Sequence, residues 1–200
     1  MIAESKALTG VEETRARILA ATRELYASRG SRGTTTREVA IRAGVNEATL
    51  FRHFGTKGQL LTAMLDHYSA ISSFPEMIER ASSLPAIEEQ LRSLGLWCIE
   101  SVKRKEDLIR VSMAEELTNP EGHTCAWQAA TAARVQLSQF FSGRVEAGIL
   151  RGEPQVLARV FMSLFYSFVM ARKIWADFDM PPETAVRDLV EIFLNGALVR

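Results

Sequence analysis

Residues 34–57 read Thr-Thr-Thr-Arg-Glu-Val-Ala-Ile-Arg-Ala-Gly-Val-Asn-Glu-Ala-Thr-Leu-Phe-Arg-His-Phe-Gly-Thr-Lys. The pattern predicts two short helices joined by a tight turn. Thr35 opens the first. Its hydroxyl can accept from the Glu38 backbone N–H while the Glu38 carboxylate reaches back, a capping box. Val39, Ala40 and Ala43 are small apolar positions, and Ala40 leaves room for a second helix to cross steeply. Gly44 supplies the left-handed residue that ends the helix. Val45 plugs the core and Asn46 caps the second helix. Leu50 and Phe54, at i and i+4, face inward. Glu47, Ala48, Thr49, Arg52 and His53 face outward.

A helix lying in a DNA major groove reads base edges with its N-terminal residues. Glu47, Ala48 and Thr49 hold those places. Thr49 suits a base edge or a thymine methyl, and Glu47 suits a cytosine amine; Glu47 equally suits the positive end of the helix dipole. Arg52, His53 and Lys57 come later and suit phosphates, which set register; packing against the first helix is the other role open to His53. Thr56 is placed to cap the next helix, whose first N–H groups would also face a phosphate. Thr35, Thr36, Arg37, Asn46 and Phe51 complete the expected DNA-facing set. Upstream, Ile18, Ala21, Leu25 and Tyr26 form an amphipathic stripe that Gly30 ends, so a three-helix unit is expected. Residues 1–60 carry ten Lys or Arg against six acids, a net of +4, and the remainder carries −4. A basic head suits phosphate attraction, and an acidic body limits random DNA sticking.

Residues from about Arg15 to Leu61 resemble the tetracycline-repressor (TetR) family of bacterial regulators. The most specific part is Gly-Val-Asn-Glu-Ala-Thr-Leu-Phe-Arg-His-Phe-Gly-Thr-Lys, 44–57, which is similar to the family's Gly-Val-Ser-x-x-x-Leu-Tyr-x-His-Phe-x-x-Lys. The resemblance implies an all-helical homodimer with an N-terminal DNA-binding domain and a C-terminal ligand-binding, dimerising domain. By position it implies phosphate contacts at His53 and Lys57, with Thr49 on the reading face. Phe51 stands where the family usually has Tyr, so a phenol-to-phosphate bond is missing. Gly58 stands where an acid is common, which weakens the first turn of the following helix.

The chain has 200 residues, 47% of them apolar, enough for a sizeable core. Cys98 and Cys125 follow no metal spacing and suit buried packing, with a redox switch as the alternative. Sparse cysteine and the lack of an apolar stretch in Met1–Gly10 lead to an expectation of a cytoplasmic protein without signal peptide. The longest apolar run, Phe161–Ala171, falls short of the ~20 residues that span a membrane. No metal or cofactor site is expected. Neither is an enzyme: no paired carboxylates, Ser-His-Asp set or glycine-rich phosphate loop is visible, and His53, His67 and His123 are scattered.

Six prolines divide the body into expected helices near 57–73, 85–104, 106–117, 121–150, 154–177 and 182–198. The expected domains are 1–57 for DNA binding and 58–200 for ligand binding and dimerisation. The last two helices carry apolar residues over broad arcs, and a helix apolar on most sides must be buried on most sides. A two-fold four-helix interface is therefore expected, using Val160, Phe161, Leu164, Phe168, Leu189, Phe193 and Leu194. Met64, His67, Tyr68, Leu94, Trp97, Cys98, Met113, Trp127 and Phe141 are candidates for a hydrophobic effector pocket, with an ordinary core as the alternative. The function expected is a transcriptional regulator that binds double-stranded DNA at a palindrome, a repressor relieved by a small hydrophobic or aromatic ligand. The alternative is an architectural or partner-binding DNA-binding protein without an inducer.

Overall fold

The computed structural model describes residues 10–68, 73–118, 125–172, 174 and 180–197, with side chains except at 116–118, 125–130 and 197. The described residues form helices and no strand: α1 Gly10–Gly33, α2 Thr36–Ala43, α3 Glu47–Phe54, α4 Lys57–Tyr68, α5 Phe74–Ser82, α6 Ile87–Arg104, α7 Glu106–Thr118, α8 Cys125–Glu146, α9 Pro154–Met170 and α10 Pro182–Ala197. The fold is all-α, as the pattern predicts.

The chain divides into two compact units. One takes residues up to Tyr68 and then Asp107–Ala126. The other takes Ser69–Glu106 and everything from Trp127 on. This division differs from the expected one at 57/58. α4 packs on α1, and its Leu60, Met64 and Leu65 share a core with Ile18, Leu19, Leu25, Val39, Leu50 and Phe54. α7 joins that unit through Leu108, half-buried Val111 and a set of polar contacts to α1.

Those contacts centre on Tyr26. Its hydroxyl donates to Glu115 Oε2 at 2.9 Å and lies 3.1 Å from Ser112 Oγ. The other Glu115 oxygen accepts from the Ser31 backbone N–H. Burial first, together with the Glu115 carboxylate and against the Ser112 hydrogen bond, pushes the Tyr26 phenol up to about 12. Gly30 breaks α1 beside this carboxylate with φ 68°, and a Cβ there would sit 2.7 Å from Glu115 Oε1. Glycine meets both demands, backbone and space. Arg23 adds a two-pronged pair to Asp107, both distances 3.1 Å.

The second unit is built on aromatic packing. Phe141 of α8, Phe161 and Phe165 of α9 and Phe193 of α10 meet edge-on or tilted with centroids 4.9–5.8 Å apart. α6 packs against α9 and α10. At their crossing is Gly95, where a Cβ would lie 2.7 Å from Phe165 Cζ and 3.1 Å from Val186 Cγ1.

Three helix boundaries differ from expectation. α5 was not expected, yet Phe74, Met77, Ile78 and Ala81 follow i, i+3, i+4, i+7 and pack on the second core. α8 ends at Glu146 rather than near 150, because Gly148 turns left-handed (φ 69°). α9 ends at Met170, not 177; its closing bond runs from the Ala171 N–H to Ser167 O. Residues 69–72 and 119–124, at the expected ends of two helices, lie outside the described residues.

Candidate nucleic-acid interface

The turn between α2 and α3 forms as its residues dictate. The Thr35 hydroxyl accepts from the Glu38 N–H at 3.2 Å and donates to Glu38 Oε2 at 2.9 Å. Arg29 Nη1 reaches Glu38 Oε1 at 2.8 Å. The Thr35 hydroxyl first, then Arg29, hold the Glu38 carboxyl below its ordinary range. At the other end Gly44 takes φ 66°, ψ 39°. The Val45 N–H returns to Ala40 O and the Gly44 N–H to Ile41 O, a paired C-terminal cap that closes against half-buried Val45.

Asn46 Oδ1 accepts from the Thr49 N–H at 2.7 Å and starts α3. Leu50 and Phe54 are buried beneath it. Ala48, Phe51 and Arg52 are exposed, while Glu47, Thr49 and His53 are half-buried. The first turns of α2 and α3 meet through the Thr36 hydroxyl, which donates to Glu47 Oε1 at 2.7 Å. Glu47 is thus anchored rather than free, and the Thr36 hydroxyl proton is already spent within the protein. Arg37 and Thr35 are exposed at the start of α2.

Thr56 caps α4 in a reciprocal box. The Gln59 N–H donates to Thr56 Oγ1 at 3.2 Å, and the Thr56 N–H donates to Gln59 Oε1 at 2.9 Å. Gln59 was missed, although Thr-x-x-Gln is legible in the sequence. The box supplies its two bonds in the same turn that carries Gly58. Two cations on α1 also escaped notice. The Arg15 guanidinium lies 4.5 Å from the Phe54 ring centroid. A Cβ on Gly44 would be 3.4 Å from Arg17 Nη1. No local signal marks either, because α1 reaches α3 only through the fold. Ile41, 71% exposed on α2, is a further unforeseen feature.

The nine pocket candidates do not fall in one unit. Met64 is wholly buried in the N-terminal core. Tyr68 lies under the Arg23 guanidinium at 4.8 Å, with His67 edge-on at 4.9 Å. Met113 is 42% exposed on α7. Leu94, Cys98 and Phe141 are buried in the second core, and Trp97 is half-buried with its ring stacked on Phe74 at 4.6 Å. The side chain of Trp127 lies outside the described residues. The reason is the path of the chain: α4 and α7 pack with α1, so their apolar residues serve the headpiece core.

Among the interface candidates, Phe161, Phe193 and Leu194 are buried within the chain's own core. Leu164, Phe168 and Leu189 are half-buried, and Val160 is 45% exposed. Val156 and Ile192, at 56% and 64% exposure, lie on the same pair of helices.

Among the described residues no cluster of metal-ligating side chains occurs, and no helix is long and apolar enough to cross a membrane. Residues 18–64 match the family model of bacterial regulatory proteins of the tetR family. Over 186 residues, 92% of this chain and 96% of the relative, the chain is 27% identical to the HTH-type transcriptional regulator YvkB of Bacillus subtilis. Over 59 residues, 30% of this chain and 31% of the other, it is 52% identical to the HTH-type transcriptional repressor Rv3405c of Mycobacterium tuberculosis. The crystal structure of a TetR-family regulator from Mesorhizobium loti has the same fold. Its TM-score is 0.77 with 20% identity, over 96% of this chain and all of that one. The capped, crossed helix pair and these likenesses together identify a DNA-binding transcriptional regulator, whose residues 18–64 match the tetR family of bacterial regulatory proteins.

Proposed function

We propose that the chain is a cytoplasmic repressor that binds an imperfect palindrome as a two-fold homodimer and is released by a small hydrophobic or aromatic molecule. One observation supports the dimer above others. Val156, Val160 and Ile192 remain exposed on helices whose inner residues are already fully used in the core. Half-buried Leu164, Phe168 and Leu189 extend that apolar surface, and exposed apolar surface of this kind marks an interaction face. Two copies joined there carry two α3 helices to half-sites with centres ~34 Å, or a multiple, apart. Ala48, Thr49 and anchored Glu47 read base edges in this scheme, while Arg37, Arg52, His53 and Lys57 hold phosphates. The adaptable apolar side chains of the second unit, Trp97 and Phe141 among them, supply the effector site. Sedimentation of wild type and Val160→Arg, each also titrated with operator, tests the assembly. The expected result is a dimer for wild type and a monomer without operator affinity for the variant. A wild-type monomer that still binds the palindrome at full affinity contradicts it.

A further inference from the structure

The cations of the headpiece are not all alike. Arg23 of α1 is held by Asp107 at 3.1 Å and Arg29 by Glu38 at 2.8 Å. Arg42 of α2 is held by Glu24 at 2.9 Å. Arg15 and Arg17, in the first two turns of α1, are exposed, and among the described residues neither has a carboxylate partner. Glu13, one turn before Arg17, forms no ion pair with it; Arg17 Nη2 instead reaches Thr14 Oγ1 at 3.4 Å.

Both guanidinium groups lie against α3 or its entry. Arg15 rests 4.5 Å from the ring centroid of Phe54, the residue that ends α3. Arg17 Nη1 lies against Gly44, 3.4 Å from where a Cβ would stand, in the turn that precedes α3. Positions two apart on a helix project about 200° apart, so α1 sends one cation toward each end of the eight-residue α3. Stacking engages the face of the Arg15 guanidinium and leaves the donors on its rim unused. A planar fork oriented by a ring, with its donors free, suits a phosphate. Phe54 directly follows His53 and stands two before Thr56, so Arg15 joins the stretch already assigned to phosphates.

We propose that Arg15 and Arg17 contact phosphates on either side of the base pairs that α3 covers, so that α1 extends the grip on duplex DNA beyond the helix-turn-helix. The proposal rests on the reading of α3 as the helix that faces the groove. Contacts of this kind carry no sequence information, and each adds to the counterions released on binding.

The test is the salt dependence of binding to the DNA upstream of the chain's own gene, for wild type, Arg15→Met, Arg17→Met and Arg42→Met, with the melting temperature of each. Methionine keeps an aliphatic stem for packing and removes the charge. Arg15→Met and Arg17→Met are each expected to lower the slope of log K against log salt concentration by about 1 for every half-site bound. Arg42→Met loses the same charge from a pair the protein already neutralises, and is expected to leave the slope unchanged. Arg15→Lys is expected to restore most of the slope, because lysine keeps the charge. A packing role alone would lower the melting temperature and leave the slope at its wild-type value. Slopes for Arg15→Met and Arg17→Met no different from that of Arg42→Met overturn the proposal. Lys57→Ala, measured alongside, separates the two levels. If it lowers the slope and the α1 variants do not, the α1 contacts fail and the groove-facing reading of α3 stands. If wild type shows no salt-dependent binding, both fail.

Discussion

The Thr36 hydroxyl donates to Glu47 Oε1 at 2.7 Å and ties the first turn of α2 to the first turn of α3. One carboxylate oxygen is held by the protein, which orients the other. A carboxylate so oriented suits a cytosine amine. Glu47→Ala is expected to alter discrimination at one base pair by about 1–3 kcal/mol. Thr36→Val is expected to relax the same base pair by a smaller amount and leave the rest of the site alone. Competition binding with single-base operator variants measures both. A Thr36→Val profile identical to wild type, beside an altered Glu47→Ala profile, removes the positioning role.

Lys57 and Thr49 are the proposed phosphate contact and base contact, and substitutions separate the two roles. Lys57→Ala is expected to weaken all sequences alike and to reduce the salt slope of binding by about 1. Thr49→Ala is expected to shift preference at one base pair by about 1–3 kcal/mol. Its backbone N–H keeps the Asn46 cap in either case, so loss of fold does not confuse the result. Equal loss on operator and random DNA for Thr49→Ala takes it off the reading face.

Tyr26 links α1 to α7, and its removal has two expected signatures. Tyr26→Phe leaves Glu115 without its buried donor and Ser112 without its buried acceptor, and costs about 1–3 kcal/mol in urea unfolding. The second signature is alkaline. The phenol titrates near 10 when unfolded and at about 12 when folded. Its contribution is therefore complete below pH 10 and lost as pH rises from 10 to 12. Tyr26→Phe is expected to flatten that part of the stability–pH curve. Parallel curves for the two proteins would show that the phenol titrates unperturbed.

Gly95→Ala gains up to about 1 kcal/mol of helix propensity. It also drives a methyl to 2.7 Å from a fully buried Phe165 ring. Overpacking of this kind costs about 1–3 kcal/mol, so net destabilisation is expected in chemical denaturation. A more stable variant would mean that α6 moves away from α9 at little cost.

The helix-turn-helix was legible because its signals are local. Thr35, Gly44 and Asn46 each act on residues within four positions, and the bonds they form are the ones their spacing predicts. α5 was equally written in Phe74, Met77, Ile78 and Ala81, but Pro75 reads as a break unless it is placed in a first turn. Other features are not local. Glu115 meets Tyr26 from 89 residues away, and nothing near either residue announces that α7 serves the headpiece. Phe161 and Val160 are adjacent and apolar, one buried and one exposed. An arc apolar almost all round does not say which part faces its own core and which faces outward.

The most direct test is a footprint of the purified protein on the DNA upstream of its own gene, with a parallel titration of Arg52→Glu. Two protected half-sites related by a dyad are expected, centres ~34 Å or a multiple apart, lost together in the variant and weakened steeply by salt. Protection of one unpaired site, or protection that survives Arg52→Glu unchanged, contradicts it.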